Sequence, residues 1–104
     1  MAHKIFLKII QTWNLEVASG KKIKLTFESF DLESHSRCKY DYVKITFESE
    51  EEKYCGSSMP SPIISSGNTM TVVFHSDYSV NRNGFKATWE AVETSGKVFR
   101  QDLT

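Results

Sequence analysis

No charge of one sign prevails in this 104-residue chain: thirteen Lys and Arg are matched by thirteen Asp and Glu. That balance removes the simplest basis for binding nucleic acid or a membrane surface. No apolar run reaches about 18 residues, so no segment is fit to cross a bilayer as a helix. Cysteine is scarce, with only Cys38 and Cys55, 17 positions apart. That spacing is not one that builds a zinc site. Three histidines are present, but none stands at H-x-x-H or H-E-x-x-H spacing. There is no G-x-S-x-G elbow, no phosphate-binding glycine loop and no nucleophile beside a base. These absences exclude the common routes to catalysis, and the chain is read as a non-enzymatic module of one domain.

What is present is alternation. Ile23, Leu25 and Phe27 alternate with Lys24, Thr26 and Glu28. Val43, Ile45 and Phe47 do so with Lys44 and Thr46, Met70, Val72 and Phe74 with Thr71 and Val73, and Phe85, Ala87, Trp89 and Ala91 with Lys86, Thr88 and Glu90. Trp13, Leu15 and Val17 repeat the pattern near the start. A period of two marks half-buried strands. Turn residues separate the runs, as in Ala18-Ser19-Gly20, Ser34 to Arg37, Ser57 to Pro62, Ser66-Gly67-Asn68 and Asn81 to Gly84. No helical stripe is sustained, so the predicted fold is all-β, an antiparallel β-sandwich. The acidic run Glu48 to Glu52 reads as a solvated hairpin tip, and the aromatic residues, Trp89 among them, read as core. The apolar stretch from Ile5 to Ile10, interrupted by Lys8, reads as a strand rather than a signal peptide. The divisions that follow are an N-terminal strand segment at 1–12, a sandwich at 13–93 and a loose polar tail at 94–104.

Three acids stand at the ends of apolar runs: Glu33, Asp41 and Asp77. Asp41 shares the parity of Val43 and Ile45 and so leans toward the core. A carboxylate there is costly unless it is paired or metal-bound. If the fold gathers the three, they form an oxygen cage suited to calcium, which also accepts backbone carbonyls such as those following Asp77. Spacing alone equally allows three acids in separate polar loops. It also leaves Cys38 and Cys55 open between a disulfide, worth about 3 kcal/mol, and two free thiols. His75 reads as a surface strand residue.

The motifs taken together resemble CUB domains. Those that carry the resemblance are Phe-Glu-Ser-Phe-Asp-Leu-Glu (27–33), Cys-Lys-Tyr-Asp-Tyr-Val-Lys-Ile (38–45), Tyr-Cys-Gly (54–56), Pro-Ile-Ile-Ser-Ser-Gly-Asn-Thr-Met (62–70), Phe-His-Ser-Asp (74–77) and Gly-Phe-Lys-Ala (84–87). They occur in family order across roughly residues 13 to 92. The resemblance implies a jelly-roll type sandwich and a disulfide between Cys38 and Cys55. It implies that Glu33, Asp41 and Asp77 bind Ca2+, with backbone carbonyls from Ser79 and Val80. It further implies that the outer oxygens of these acids receive a Lys or Arg of a partner protein, flanked by Tyr42, Tyr78 and His35. The expected setting is extracellular, secreted or in the ectodomain of a modular cell-surface protein, with a protease as the parent.

The opening departs from the family pattern. Gln11 and Thr12 precede Trp13 where the family carries a cysteine, so the first family disulfide is absent, as is an early tyrosine that helps hold the acidic loop. The N-terminal strands are then missing, rebuilt from residues 4 to 10, or swapped between chains, and weaker calcium binding is expected. The alternative function is a calcium-free module of the spermadhesin type, binding carbohydrate or pairing with itself through an N-terminal strand that exposes Ile5, Leu7 and Ile9.

Overall fold

Seven strands form two antiparallel sheets in the computed structural model, which describes residues 9–77 and 84–93. They are β1 (Ile9–Glu16), β2 (Lys21–Asp31), β3 (Tyr42–Phe47), β4 (Glu50–Tyr54), β5 (Ile63–Ile64), β6 (Thr69–Ser76) and β7 (Gly84–Glu93). One sheet runs β1-β6-β3-β4 and the other β5-β2-β7. No helix occurs among the described residues. Ile5, Leu7 and the tail from 94 to 104 lie outside them.

The alternating residues meet between the sheets. Ile23, Leu25 and Phe27 of β2 face Val43 and Ile45 of β3 and Met70 and Val72 of β6, all of them buried. β2 then changes parity: its pairing with β7 slips between Phe27 and Ser29, and the next buried residues are Phe30 and Leu32. This bulge at Glu28 re-aims the end of the strand. Without it, Glu33 would share the inward parity of Phe27. With it, Leu32 fills the core and Glu33 reaches the rim.

Two strands differ from the simplest sequence reading. The acidic run is a hairpin tip only at Glu48 and Ser49; from Glu50 the chain pairs with β3 as an edge strand. Its charged side chains stand in solvent, which suits an edge that must not recruit further strands. Trp89 and Trp13 have core parity, yet they are 47% and 40% exposed. They line a cleft of about 470 Å³ between β1 and β7, with Phe74 and Phe85 at its floor. Their rings are inward-facing but uncovered.

Ser65 holds the chain against β2 where β5 ends. Its hydroxyl accepts the Ile23 N–H at 2.8 Å and donates to the Gly67 carbonyl at 2.6 Å. The Ser65 N–H in turn donates to the Ile23 carbonyl. One small side chain thus continues the β2–β5 ladder after pairing stops. Ser65→Ala would leave the buried Ile23 N–H without an acceptor. A loss of about 2 kcal/mol is expected in urea denaturation, against little change for exposed Ser66→Ala.

Candidate functional site

Glu33, Asp41 and Asp77 come from three separate loops: after β2, before β3 and after β6. The fold brings one carboxylate oxygen from each within 4.8 Å of the others. Asp41 is the central member, at 2% exposure. Its Oδ2 accepts the Glu33 N–H at 3.1 Å and its Oδ1 accepts the Asp77 N–H at 3.4 Å. A single carboxylate therefore aligns the backbones of both neighbouring acids.

The loop that carries Asp41 is held from two sides. Cys38 and Cys55 form a disulfide with Cα atoms 5.4 Å apart, tying the loop to the end of β4. Cys38 takes a left-handed φ of 50°, unusual for a residue with a Cβ, and its N–H donates to the His35 carbonyl. Beyond β4, Gly56 at φ 84° turns its carbonyl to the Leu32 N–H at 2.9 Å. A Cβ on Gly56 would be strained at that φ and would press on Ser34 Oγ at 3.2 Å. Leu32, next to Glu33, is thereby tied to the same end of the sandwich as the disulfide.

The geometry fits a divalent ion. Two oxygens on one calcium stand at most twice the metal–oxygen distance apart, about 4.6–5.2 Å. The observed 4.8 Å limit falls inside that bound. Metal-free, each pair of charges at that distance repels by about 3 kcal/mol at an effective dielectric near 20. Oxygen-only donors and an irregular loop suit calcium rather than zinc.

Of the other predicted residues, Tyr42 stands on the outer face of the four-stranded sheet. It stacks on His75 with centroids 4.8 Å apart and planes 6° from parallel. The His75 Nδ1–H donates to the Tyr40 carbonyl at 2.8 Å. His35 is engaged elsewhere: its Nδ1 accepts the Arg37 N–H, and its ring meets the edge of Tyr40. Tyr78, Ser79 and Val80 lie outside the described residues. The sequence reading did not find the cations around Tyr42. Lys53 Nζ lies 4.4 Å from the Tyr42 ring centroid, and Arg37 and Lys39 line the same pocket. Recognising β4 as a strand paired with β3 would have placed Lys53 there.

Comparison with known proteins agrees with this architecture. The family model described as "CUB domain" matches residues 9–89. Human Tolloid-like protein 1 is 40% identical over 93 residues, covering 84% of this chain and 9% of that protein. The full extracellular region of zebrafish Gpr126/Adgrg6 superposes with a TM-score of 0.77 at 31% identity, over 82% of this chain and 12% of that one. The crystal structure of the MASP-1 CUB2 domain bound to Ca2+ superposes with a TM-score of 0.73 at 29% identity, over 79% of this chain and 77% of that one. The chain thus spans less than a tenth of the length of Tolloid-like protein 1.

Replacing both Cys38 and Cys55 by serine releases the loop before Asp41. On the loop-entropy estimate the domain should lose about 3 kcal/mol. Urea denaturation of the double variant, beside the parent with and without reductant, measures the loss.

Proposed function

The chain belongs to the CUB domain family, and from that premise we propose that Glu33, Asp41 and Asp77 hold a calcium ion and present a socket to a lysine or arginine of a partner protein. CUB domains are non-catalytic interaction modules, so the function is recognition. The observation that carries the reading is the convergence of three carboxylates from three loops within 4.8 Å. A relative of similar fold is described as bound to Ca2+. A bound calcium supplies the positive charge that lets three like charges share one small volume.

The roles of the chain's own groups follow. Asp41, buried and accepting two backbone N–H groups, sets the spacing. Glu33 and Asp77 are half-buried and turn their outer oxygens to the entering ammonium or guanidinium. Tyr42 offers a ring against the aliphatic stem of that side chain. Ser79 and Val80 supply carbonyls, Tyr78 a second ring, and His35 supports the rim through Tyr40. An ion pair closed off in this way fixes which partner binds and in what register. The setting is extracellular. The disulfide suits an oxidising compartment, and the Gpr126 match lies within an extracellular region.

Calcium binding to the folded state alone raises stability by mass action, about 2.7 kcal/mol at a hundredfold excess over Kd. For a domain of this size that corresponds to a rise in Tm of roughly 10–20 °C. Asp77→Ala should keep the β-sheet circular dichroism spectrum and show no such rise. An unchanged Tm in the parent chain, with calcium or with chelator, would remove the reading.

A second reading, calcium-free pairing of two copies, draws on the cleft between β1 and β7. Among the described residues, both strands are paired on one side only, and Ile10, on the outer face of the β1 edge opposite His75, is 61% exposed. An extended segment of a second copy would add to the β1 edge and cover Trp13 and Trp89. Light scattering should then give a dimer that Ile10→Glu converts to monomer. A monomer across the micromolar to millimolar range ends this reading.

A further inference from the structure

Beside the acidic triad, on the outer face of β3, β4 and β6, lies a pocket of opposite character. Its volume is about 450 Å³, and Arg37, Lys39, Lys53, Tyr40, Tyr42 and His75 line it, with Asp77 at its border. The stacked rings of Tyr42 and His75 supply an aromatic surface, and Lys53 stands over the Tyr42 ring. Arg37, Lys39 and Lys53 are exposed. Three cations and one carboxylate, that of Asp77, thus share the lining, so positive charge is in excess there.

A fourth cation, outside the pocket lining, stands on the same face. Lys44 of β3 lies directly opposite Lys53 of β4 in the ladder. Like charges at opposed positions destabilise a sheet. The chain keeps this pair although glutamates occupy the neighbouring positions Glu50, Glu51 and Glu52 of the same strand. The arrangement suits an anion held between cations and rings.

We propose that this pocket takes a carboxylate, Asp or Glu, of the same partner whose basic side chain enters the triad. The inference rests on the calcium-socket reading for the neighbouring site. It makes the recognised epitope a basic residue with an acidic one close by, matched to the acidic tip and the cationic face that meet at Asp77. A single side-chain carboxylate fits better than a sulfated glycan. A polyanion running over this face would meet Glu51, exposed on β4 with the parity of Lys53, and the triad itself.

The test uses peptides of the form acetyl-Lys-Glu-amide with none, one or two glycines between the two residues, in saturating calcium. Each is compared with an analogue bearing glutamine in place of the acid and another bearing glutamine in place of the lysine. Binding is followed through the amide NMR signals of Tyr42, Lys53 and Asp77. In at least one spacing, loss of the acid should weaken binding about three- to fivefold. That difference should vanish in the Lys53→Gln/Arg37→Gln variant, whose changes are both on exposed side chains. Equal binding of acid and glutamine peptides at all three spacings overturns the inference, while a lysine effect that persists leaves the calcium socket standing. An acid effect without a lysine effect removes the socket and, with it, the paired basic and acidic epitope. A heparin tetrasaccharide that displaces the peptides from Lys53 at lower concentration than the acid peptide itself overturns the choice of a protein carboxylate.

Discussion

Asp41 is a charged group in a place where charge is expensive. It is almost wholly buried, and it lies between a loop leaving one sheet and a loop leaving the other. Its two oxygens answer the N–H groups of Glu33 and Asp77, so one carboxylate fastens the two sheets at one tip. That fastening has a consequence. It draws two more carboxylates to within 4.8 Å, where they repel unless a cation joins them. The same side chain that orders the tip thus gathers the charges that a cation would offset.

The zero net charge of the chain hides a division of charge in space. Acids converge at the end of the sandwich, while Arg37, Lys39, Lys44 and Lys53 gather on the adjoining face. A charge within a Debye length of one patch, about 8 Å in physiological salt, and farther from the other would feel mainly the nearer one. Composition alone therefore excluded too little. It spoke against broad electrostatic attraction to a polyanion, and it was silent about two small sites of opposite sign meeting at Asp77. Complementary charges arranged this way act on orientation and encounter rate more than on total affinity.

The alternating strands were legible because their burial is local and periodic. Val43 and Ile45, or Met70 and Val72, are inward in the structure as their spacing required. Three features were not legible for reasons of the same kind. The bulge at Glu28 shows in the sequence only as a change of parity between Phe27 and Phe30. The β4 edge has no buried face to alternate. Trp13 and Trp89 carry inward parity, but whether an inward ring is covered depends on a neighbouring strand. The acids are a further case. Glu33 and Asp41 are eight positions apart and Asp77 lies 36 beyond, so no window of sequence contains their meeting. The family resemblance carried that reading, because it encodes a tertiary arrangement that periodicity does not.

The first residues of β1 bear unequally on the acidic tip and on the apolar cleft. The supports of the triad described here come from elsewhere: the Asp41 carboxylate, the disulfide from Cys38 to Cys55, the Gly56 carbonyl on Leu32 and the bulge in β2. None involves residues before Trp13. The nearest link is the pairing of Ile9 with Ser76, one residue short of Asp77, which steadies the third acid through its backbone. The cleft depends on β1 directly, since Trp13 forms one wall of it. Change at the N-terminus therefore falls first on the apolar cleft and its exposed rings. The acidic tip is tied chiefly by groups from β2 through β6.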